Sequence, residues 1–303
     1  MCTLRPPRPD VALIHVEEGT TTACSAVAEL RERSAGGRQR GNISVMADIV
    51  ALAAGPEDAS GIVLVHGTRM AGAYWHGQVA ALSDHFRVLA VDLPGHGARR
   101  GEPFTHRAAI ETILAAAGQC RGGAAVVLGH SLGGFLAMDA AAEHPERVRA
   151  LVLNGCSARA CGPASWPYRV ALRLLSRTPE ALLTRWNDAL LRRRYAPELV
   201  EPQIAAGYGF AALPAAWGAV LGKDHAAALE AYTGPVLILN GARDPLFRLG
   251  ERHFLRLCPR ARLSVIAGAT HLASLDRPKA FTATVRAFAE EIYRGTAAAA
   301  ATC

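Results

Sequence analysis

The sequence predicts an α/β fold with a mostly parallel central sheet and helices on both faces. Short apolar runs end in glycine-containing turns, and the run over 124–128 leads through such a turn into a helical pattern over 135–144. Two later apolar runs, over 235–240 and 262–267, also end in turns. The 303 residues suffice for one large core, because parallel α/β sheets often extend past about 200 residues as one domain.

The turn after the first of these runs reads Gly-His-Ser-Leu-Gly-Gly over 129–134. Gly129 and Gly133 leave room on either side of Ser131, so its hydroxyl can stand out from the sheet edge. The helix that follows supplies free N–H groups and a positive dipole end, which favour a developing oxyanion. We therefore predict that Ser131 is a catalytic nucleophile. The alternative is a glycine-rich turn with an idle serine.

A candidate acid and a candidate base follow later in the chain. Asp244 comes just after the apolar run over 235–240, and His271 comes just after the run over 262–267. Parallel sheets carry their chemistry at the carboxyl ends of the strands, so two such strands would bring both side chains to one edge. In this interpretation His271 takes the proton of Ser131, and Asp244 fixes the imidazole tautomer and stabilises the imidazolium.

Two other carboxylates are rivals for the role of the acid. Asp92 begins a turn after another predicted strand and is expected to shape that turn. Asp276 is expected to cap a helix that starts near Pro278. His96 and His130 flank predicted functional turns, and we expect them to hold those turns by hydrogen bonds.

The motifs occur together in a characteristic order. They are His66-Gly67, Trp75, the turn over 92–97, the segment 129–134, Asp244 and His271. In their order and spacing the chain resembles the α/β-hydrolase superfamily over about residues 46–294. The resemblance implies an α/β-hydrolase fold with a helical lid inserted into the core, and a Ser131-Asp244-His271 triad. Serine at position 131 disfavours the members that use an aspartate nucleophile.

The resemblance also implies an oxyanion hole. One donor is the backbone N–H after the nucleophile, here Leu132, and the other is the N–H of Thr68, in the loop after the strand over 61–65. Gly67 permits a backbone twist that aims an N–H into the site. The Thr68 hydroxyl is either a third donor or a solvated loop group. Trp75 is expected to pack beneath this loop.

Composition and charge disfavour several classes of function. The net charge is +7, from 33 basic and 26 acidic residues, but the excess is dispersed arginine without a basic stripe and interleaved aromatics, so we expect no nucleic-acid partner. The densest patch, over 192–194, is expected to be a solvated helix end. The seven cysteines lack metal or disulfide spacing, and no run suits a membrane span or a signal peptide. We expect a cytoplasmic protein without metal or cofactor.

The chain divides into a core and three other segments. Residues 1–45 have the composition of a flexible N-terminal extension, with Met46 as a candidate alternative start and 49–52 as the first core strand. The catalytic core is expected over 46–156 and 233–294, with a helical lid over 157–232 between its parts. The alanine-rich stretch over 295–303 is expected to be a disordered tail.

The predicted lid is rich in helix signals and in aromatic residues. Thr178 is expected to cap a helix with Pro179 in its first turn. The lid aromatics are Trp166, Tyr168, Tyr195, Tyr208, Phe210 and Trp217. Two interpretations stay open for them, because they either pack the lid against the core or line an apolar pocket above Ser131.

These observations predict a serine hydrolase that cleaves an ester or thioester through an acyl-enzyme, without cofactor or metal. The expected partner is a small-molecule apolar ester or thioester substrate. One alternative is a C–C bond hydrolase or a cofactor-free perhydrolase with the same triad. Another is a slow-turnover ligand-binding or signalling protein, because one fold hosts many functions.

Overall fold

A seven-stranded sheet forms the centre of the molecule, which the computed structural model describes over residues 49–158 and 161–301. The strands are β1 (Val50–Ala54), β2 (Gly61–Val65), β3 (Arg87–Val91), β4 (Ala125–His130), β5 (Val148–Asn154), β6 (Val236–Gly241) and β7 (Ala261–Ile266). Their order across the sheet is β1-β3-β2-β4-β5-β6-β7. The edge strand β1 is antiparallel to β3, and all other neighbours are parallel. The predicted, mostly parallel α/β sheet is confirmed.

Helices follow most of the strands and cover the sheet. They are α1 (His76–Leu82), α2 (His106–Gly118), α3 (Leu132–Glu143), α4 (Trp166–Leu175), α5 (Glu180–Arg194), α6 (Pro197–Ala206), α7 (Leu213–Val220), α8 (His225–Ala231), α9 (Pro245–Arg248), α10 (Glu251–Leu257), α11 (Ala273–Asp276) and α12 (Pro278–Ala301). Short 3-10 turns connect several of them. None of the helices in the described parts of the chain combines the length and apolar character needed to cross a bilayer.

The central strands are apolar throughout because both of their faces are buried. Along β2 the side chains alternate, so that Val63 and Val65 join one apolar layer and Ile62 and Leu64 join the other. The first layer is completed by α2 and α3, and the second by α1 and α12. Trp75 is fully buried in the second layer, just before α1, as expected for a residue that packs beneath the loop over 66–72.

The segment between β5 and β6 is helical. Its second α-helix, α5, begins at Glu180, and Thr178 does not cap it, because the Thr178 hydroxyl donates to Leu174 O instead. The last helix, α8, packs on α3 of the core, where His225 Nδ1 lies 2.9 Å from Asp139 Oδ1. We refer to α4 to α7 as the lid, and α8 belongs with the core in its contacts.

The two ends of the chain are described to different extents. The predicted extension over 1–45 and the alternative start at Met46 lie outside the described residues. At the other end α12 continues to Ala301, so the stretch predicted as a disordered tail is helical over 295–301. Alanine has the highest intrinsic helix propensity, and the alanine-rich stretch extends a helix that the core already holds.

Candidate active site

Ser131 lies in a strained turn between β4 and α3. Its φ is 50°, in the left-handed region that non-glycine residues rarely adopt, and its N–H donates to Asn154 O at 2.8 Å. A side chain at Gly129 would overlap the backbone of Gly133, and one at Gly133 would lie 2.6 Å from Val65 O. The two glycines therefore permit the close approach of strand and helix that this turn needs.

Asp244 and His271 meet at the same edge of the sheet. Asp244 follows β6 and is buried, whereas His271 follows β7 and leaves 35% of its side chain exposed. His271 Nδ1 lies 2.8 Å from Asp244 Oδ2. A carboxylate only accepts hydrogen bonds, so Nδ1 carries the proton and Nε2 is left as a proton acceptor. The ring of Phe247 stacks on the imidazole, with the ring centroids 4.6 Å apart.

One cavity of about 290 Å³ brings Ser131 and His271 together. Most of its wall is apolar, and the apolar residues that line it are Met70, Leu132, Phe135, Ala158, Leu175, Trp217, Val220, Leu221, Phe247 and Leu272. The polar lining residues are Thr68, Arg69, His130, Ser131 and His271. An apolar cavity with a few polar groups beside a reactive hydroxyl is typical of a small-molecule site.

Of the predicted lid aromatics whose side chains the structure describes, Trp217 alone lines this cavity, and the Tyr168 side chain lies outside the described part. Tyr195, Tyr208 and Phe210 are buried in the apolar layer that α1 and α12 complete, so for them the packing interpretation is correct. Trp166 is 67% exposed on the outer side of the lid.

Both predicted oxyanion donors, Thr68 and Leu132, line the cavity. The Leu132 N–H belongs to the first turn of α3, where backbone N–H groups have no acceptor within the helix. The Thr68 hydroxyl accepts a hydrogen bond of 3.1 Å from Trp217 Nε1 on α7. This hydroxyl therefore has a protein partner and keeps its own proton to donate.

The loop that carries Thr68 is held by the lid at three further points. Arg69 Nη1 donates to Asn187 Oδ1 on α5 at 3.0 Å, and Arg69 O accepts from Gly209 N at 2.9 Å. Ala71 N donates to Gln203 Oε1 on α6 at 2.9 Å. Arg69 has a φ of 73°, so this loop is also strained. Sequence reasoning missed these lid residues, because their loop partners lie more than 100 positions away along the chain.

The two rival carboxylates, Asp92 and Asp276, both accept hydrogen bonds from loop residues. Asp92 accepts the N–H groups of Gly72 and Ala98, at 2.7 and 2.8 Å, and so shapes the turn after β3 as predicted. Asp276 accepts the N–H and the hydroxyl of Thr270, each at 2.6 Å. The prediction that Asp276 caps the helix at Pro278 is wrong, because its carboxylate turns back to the residue just before His271.

Three buried histidines hold the turns around the site. His130 Nδ1 donates to Asn154 Oδ1 at 2.9 Å, and His96 Nδ1 donates to Pro94 O at 2.9 Å, as predicted. His66 accepts from Leu93 N through Nε2. Burial lowers the pKa of His130 to about 3, with a further contribution from the neighbouring His271, and burial also lowers the pKa of His66 and His96. These imidazoles are therefore neutral at ordinary pH.

Candidate metal-binding and redox groups can be assessed over residues 49–158 and 161–301. No group of three or more histidine, cysteine or carboxylate side chains lies close enough there to hold a metal ion. The cysteines that the structure describes are free thiols, at Cys120, Cys156, Cys161 and Cys258.

The model of the alpha/beta hydrolase family matches residues 62–284. A pimeloyl-(acyl-carrier protein) methyl ester esterase of Neisseria meningitidis serogroup A is 30% identical over 251 residues, which are 78% of this chain and 79% of that protein. A protein of the same name from Nitrosomonas europaea is 30% identical over 234 residues, which are 73% of this chain and 92% of that protein.

Solved structures share the architecture. A thermophilic esterase from Thermogutta terrifontis has a TM-score of 0.65 at 24% identity, covering 80% of this chain and 92% of that one, and shows the shared fold. An enol-lactonase from Burkholderia xenovorans LB400 has a TM-score of 0.64 at 25% identity, covering 78% and 94%. The chain belongs to the alpha/beta hydrolase family, and it is an ester-hydrolysing enzyme of that family.

Proposed function

We propose that the enzyme is a serine esterase in which Ser131 is the nucleophile, His271 the base and Asp244 the acid. The observation that carries this proposal is the 2.8 Å contact between His271 Nδ1 and Asp244 Oδ2, beside a strained serine in the same cavity. A serine hydroxyl is a weak nucleophile until a base takes its proton, and the base needs a third group to orient it. The three side chains have the residue types and the strand-end positions that these roles require.

Each residue has a defined part in the reaction. His271 Nε2 takes the proton of Ser131 as its Oγ attacks the carbonyl carbon, and Asp244 stabilises the imidazolium that forms. The N–H groups of Leu132 and Thr68 donate to the oxyanion of the tetrahedral intermediate. The imidazolium then protonates the departing alcohol or thiol. A water molecule, activated by His271, hydrolyses the acyl-enzyme.

The apolar cavity supports a medium-sized apolar acyl group as the substrate portion that binds next to Ser131. The cavity wall consists mainly of leucine, valine, phenylalanine and methionine side chains, and each methylene buried there contributes about 0.8 kcal/mol. The esterases from Neisseria and Nitrosomonas are named for an acyl methyl ester, which supports an ester in preference to a C–C bond. The free thiols support a reducing, cytoplasmic setting.

A series of p-nitrophenyl esters tests the acyl preference. We expect kcat/KM to rise several-fold for each two-carbon step from acetate towards hexanoate, and to level off when the cavity is full. The Ser131→Ala variant is the control for background hydrolysis. The highest kcat/KM for acetate, with a steady decline through hexanoate, would contradict the proposed acyl site. Binding without turnover of any aryl ester would instead favour a slow-turnover receptor.

A further inference from the structure

The outer face of α4 carries an exposed apolar stripe. Trp166, Val170 and Leu174 are 67%, 38% and 64% exposed, and their four-residue spacing puts them on one side of the helix. Leu175 lies on the opposite side and lines the cavity. The helix therefore presents apolar side chains both to the cavity and to solvent. A lid that only covers the cavity would need the first set but not the second.

The exposed apolar residues are concentrated in the lid. Trp186 and Leu190 on α5 are 57% and 59% exposed, and only Leu246 and Leu249 are large exposed apolar residues elsewhere in the described residues. Isolated surface apolar residues are ordinary, but the stripe of Trp166, Val170 and Leu174 on one face of α4 is continuous, and it indicates a binding surface. We call the exposed residues over 166–194 the outer lid surface.

The outer lid surface is also strongly basic. Residues 166–194 contain seven arginines and two acidic residues. Arg192 pairs with Glu201, and Arg194 pairs with Asp276. The arginines without an ion-pair partner among the described residues include Arg173, Arg177, Arg185 and Arg193.

The positive charge of the outer lid surface distinguishes between two kinds of partner, a second copy of this chain and an anionic lipid surface. A second copy meeting it face to face would bring the same unpaired arginines, and like charges oppose such a dimer. An anionic lipid surface meets both requirements, because tryptophan and leucine side chains enter the headgroup region while arginines bind the lipid phosphates. We propose that the outer lid surface docks on anionic membranes. This function goes beyond the proposed esterase activity and does not depend on it.

Vesicle sedimentation tests the docking with the full-length protein. We expect it to sediment with vesicles of equimolar phosphatidylcholine and phosphatidylglycerol but not with phosphatidylcholine alone, and to be released by raised salt. Tryptophan fluorescence should shift to shorter wavelength on binding. Failure to bind the anionic vesicles, or equal binding to both kinds, would overturn the proposal.

Two double variants test the two components separately. Trp166→Ser with Leu174→Ser removes apolar contacts, and Arg173→Glu with Arg177→Glu reverses charge. We expect each to lower the vesicle partition coefficient by about tenfold or more. The matched controls are Leu249→Ser and Arg121→Glu, which change exposed residues outside the lid and should bind normally. Circular dichroism checks the fold, and p-nitrophenyl ester turnover is measured in parallel.

The result for the double variants is decisive in either direction. Vesicle binding by both at the wild-type level would contradict docking through the outer lid surface. Self-association of the wild type that both variants lose, without vesicle binding, would identify a second copy as the partner and also contradict the proposal. Loss of vesicle binding with normal esterase turnover would support it, and loss of turnover alone would bear only on the proposed esterase function.

Discussion

Backbone strain in this protein coincides with the candidate site. Among the described residues, the non-glycine positions with positive φ are Ser131, at 50°, and Arg69, at 73°. Such conformations cost on the order of 1–3 kcal/mol each and persist only where the surroundings hold them. Ser131 is held through its N–H to Asn154 O, and Arg69 through its carbonyl to Gly209 N. Both residues line the same cavity, so both strained positions lie at the candidate site.

The assignment of the acid can be tested by two aspartate-to-asparagine variants. In Asp244→Asn the amide no longer offers a charged acceptor to His271 Nδ1, so the tautomer and the imidazolium lose their support, and we expect kcat to fall by about 10⁴ with little change in melting temperature. In Asp92→Asn the turn after β3 weakens, so the melting temperature should fall more clearly than kcat. Near-normal turnover of Asp244→Asn would show that another carboxylate is the acid.

The buried, neutral His130 predicts a loss of stability in acid. Burial lowers its pKa to about 3, while in the unfolded chain it titrates near its ordinary value of about 6.5. Below that value the unfolded state binds a proton that the folded state does not, so stability falls as pH drops from about 6.5 towards 3.

Urea unfolding at pH 7 and pH 5 measures this contribution. From pH 7 to pH 5 His130 should lower the free energy of unfolding by about 2 kcal/mol, and His130→Asn should remove that part of the pH dependence. His85→Asn, at an exposed position, is the matched control. An identical pH dependence in the wild type and in His130→Asn would mean that His130 accepts a proton in the folded state.

At the level of elements, the lid does more than cover the cavity. Three lid helices hold parts of the loop that carries the proposed oxyanion donor, α7 at Thr68, α5 at Arg69 and α6 at Ala71. An oxyanion hole stabilises the transition state because its donors are aligned beforehand. Loosening this loop should therefore reduce transition-state stabilisation more than it reduces the affinity for substrate.

The Gln203→Ala variant tests this coupling. Gln203 is buried on α6, accepts from Ala71 N and does not line the cavity. We expect kcat to fall by about tenfold or more while KM changes by less than about twofold. Gln78→Ala, which also removes a buried glutamine with a hydrogen bond to a backbone carbonyl, is the matched control and should keep kcat. A lowered melting temperature with unchanged kcat would limit Gln203 to a structural role.

For the whole molecule, the local signals in the sequence predicted the mostly parallel sheet and the strand ends that carry the candidate site residues. The strand-to-helix turn at Ser131 can be recognised in the sequence because Gly129 and Gly133 are unfavourable inside a strand or a helix, and so they indicate a close approach of the backbone. Asp244 and His271 follow runs predicted as strands, of which β6 is buried and β7 is a partly exposed edge strand, and parallel topology brings the two strand ends together.

Long-range side-chain contacts could not be predicted in this way. Nothing in the local sequence links Gln203 to Ala71, which are 132 positions apart, or Trp217 to Thr68, which are 149 apart. Asp276 precedes a proline-led helix and so has the pattern of a cap, but Thr270 provides better-placed donors once β7 and α11 are packed. Local patterns specify elements, whereas packing decides between competing partners for a polar side chain.

Covalent labelling with a fluorophosphonate probe tests the central claim most directly, because the probe reacts with a serine only when a base activates it. Mass spectrometry should find one adduct, on Ser131. His271→Ala should slow its formation by about 10² or more, and Ser131→Ala should abolish it. Ser157→Ala, at a buried serine bonded to Phe247 O, should label like the wild type. An adduct on a different serine, or an unchanged labelling rate in Ser131→Ala, would contradict the assignment of Ser131 as the nucleophile.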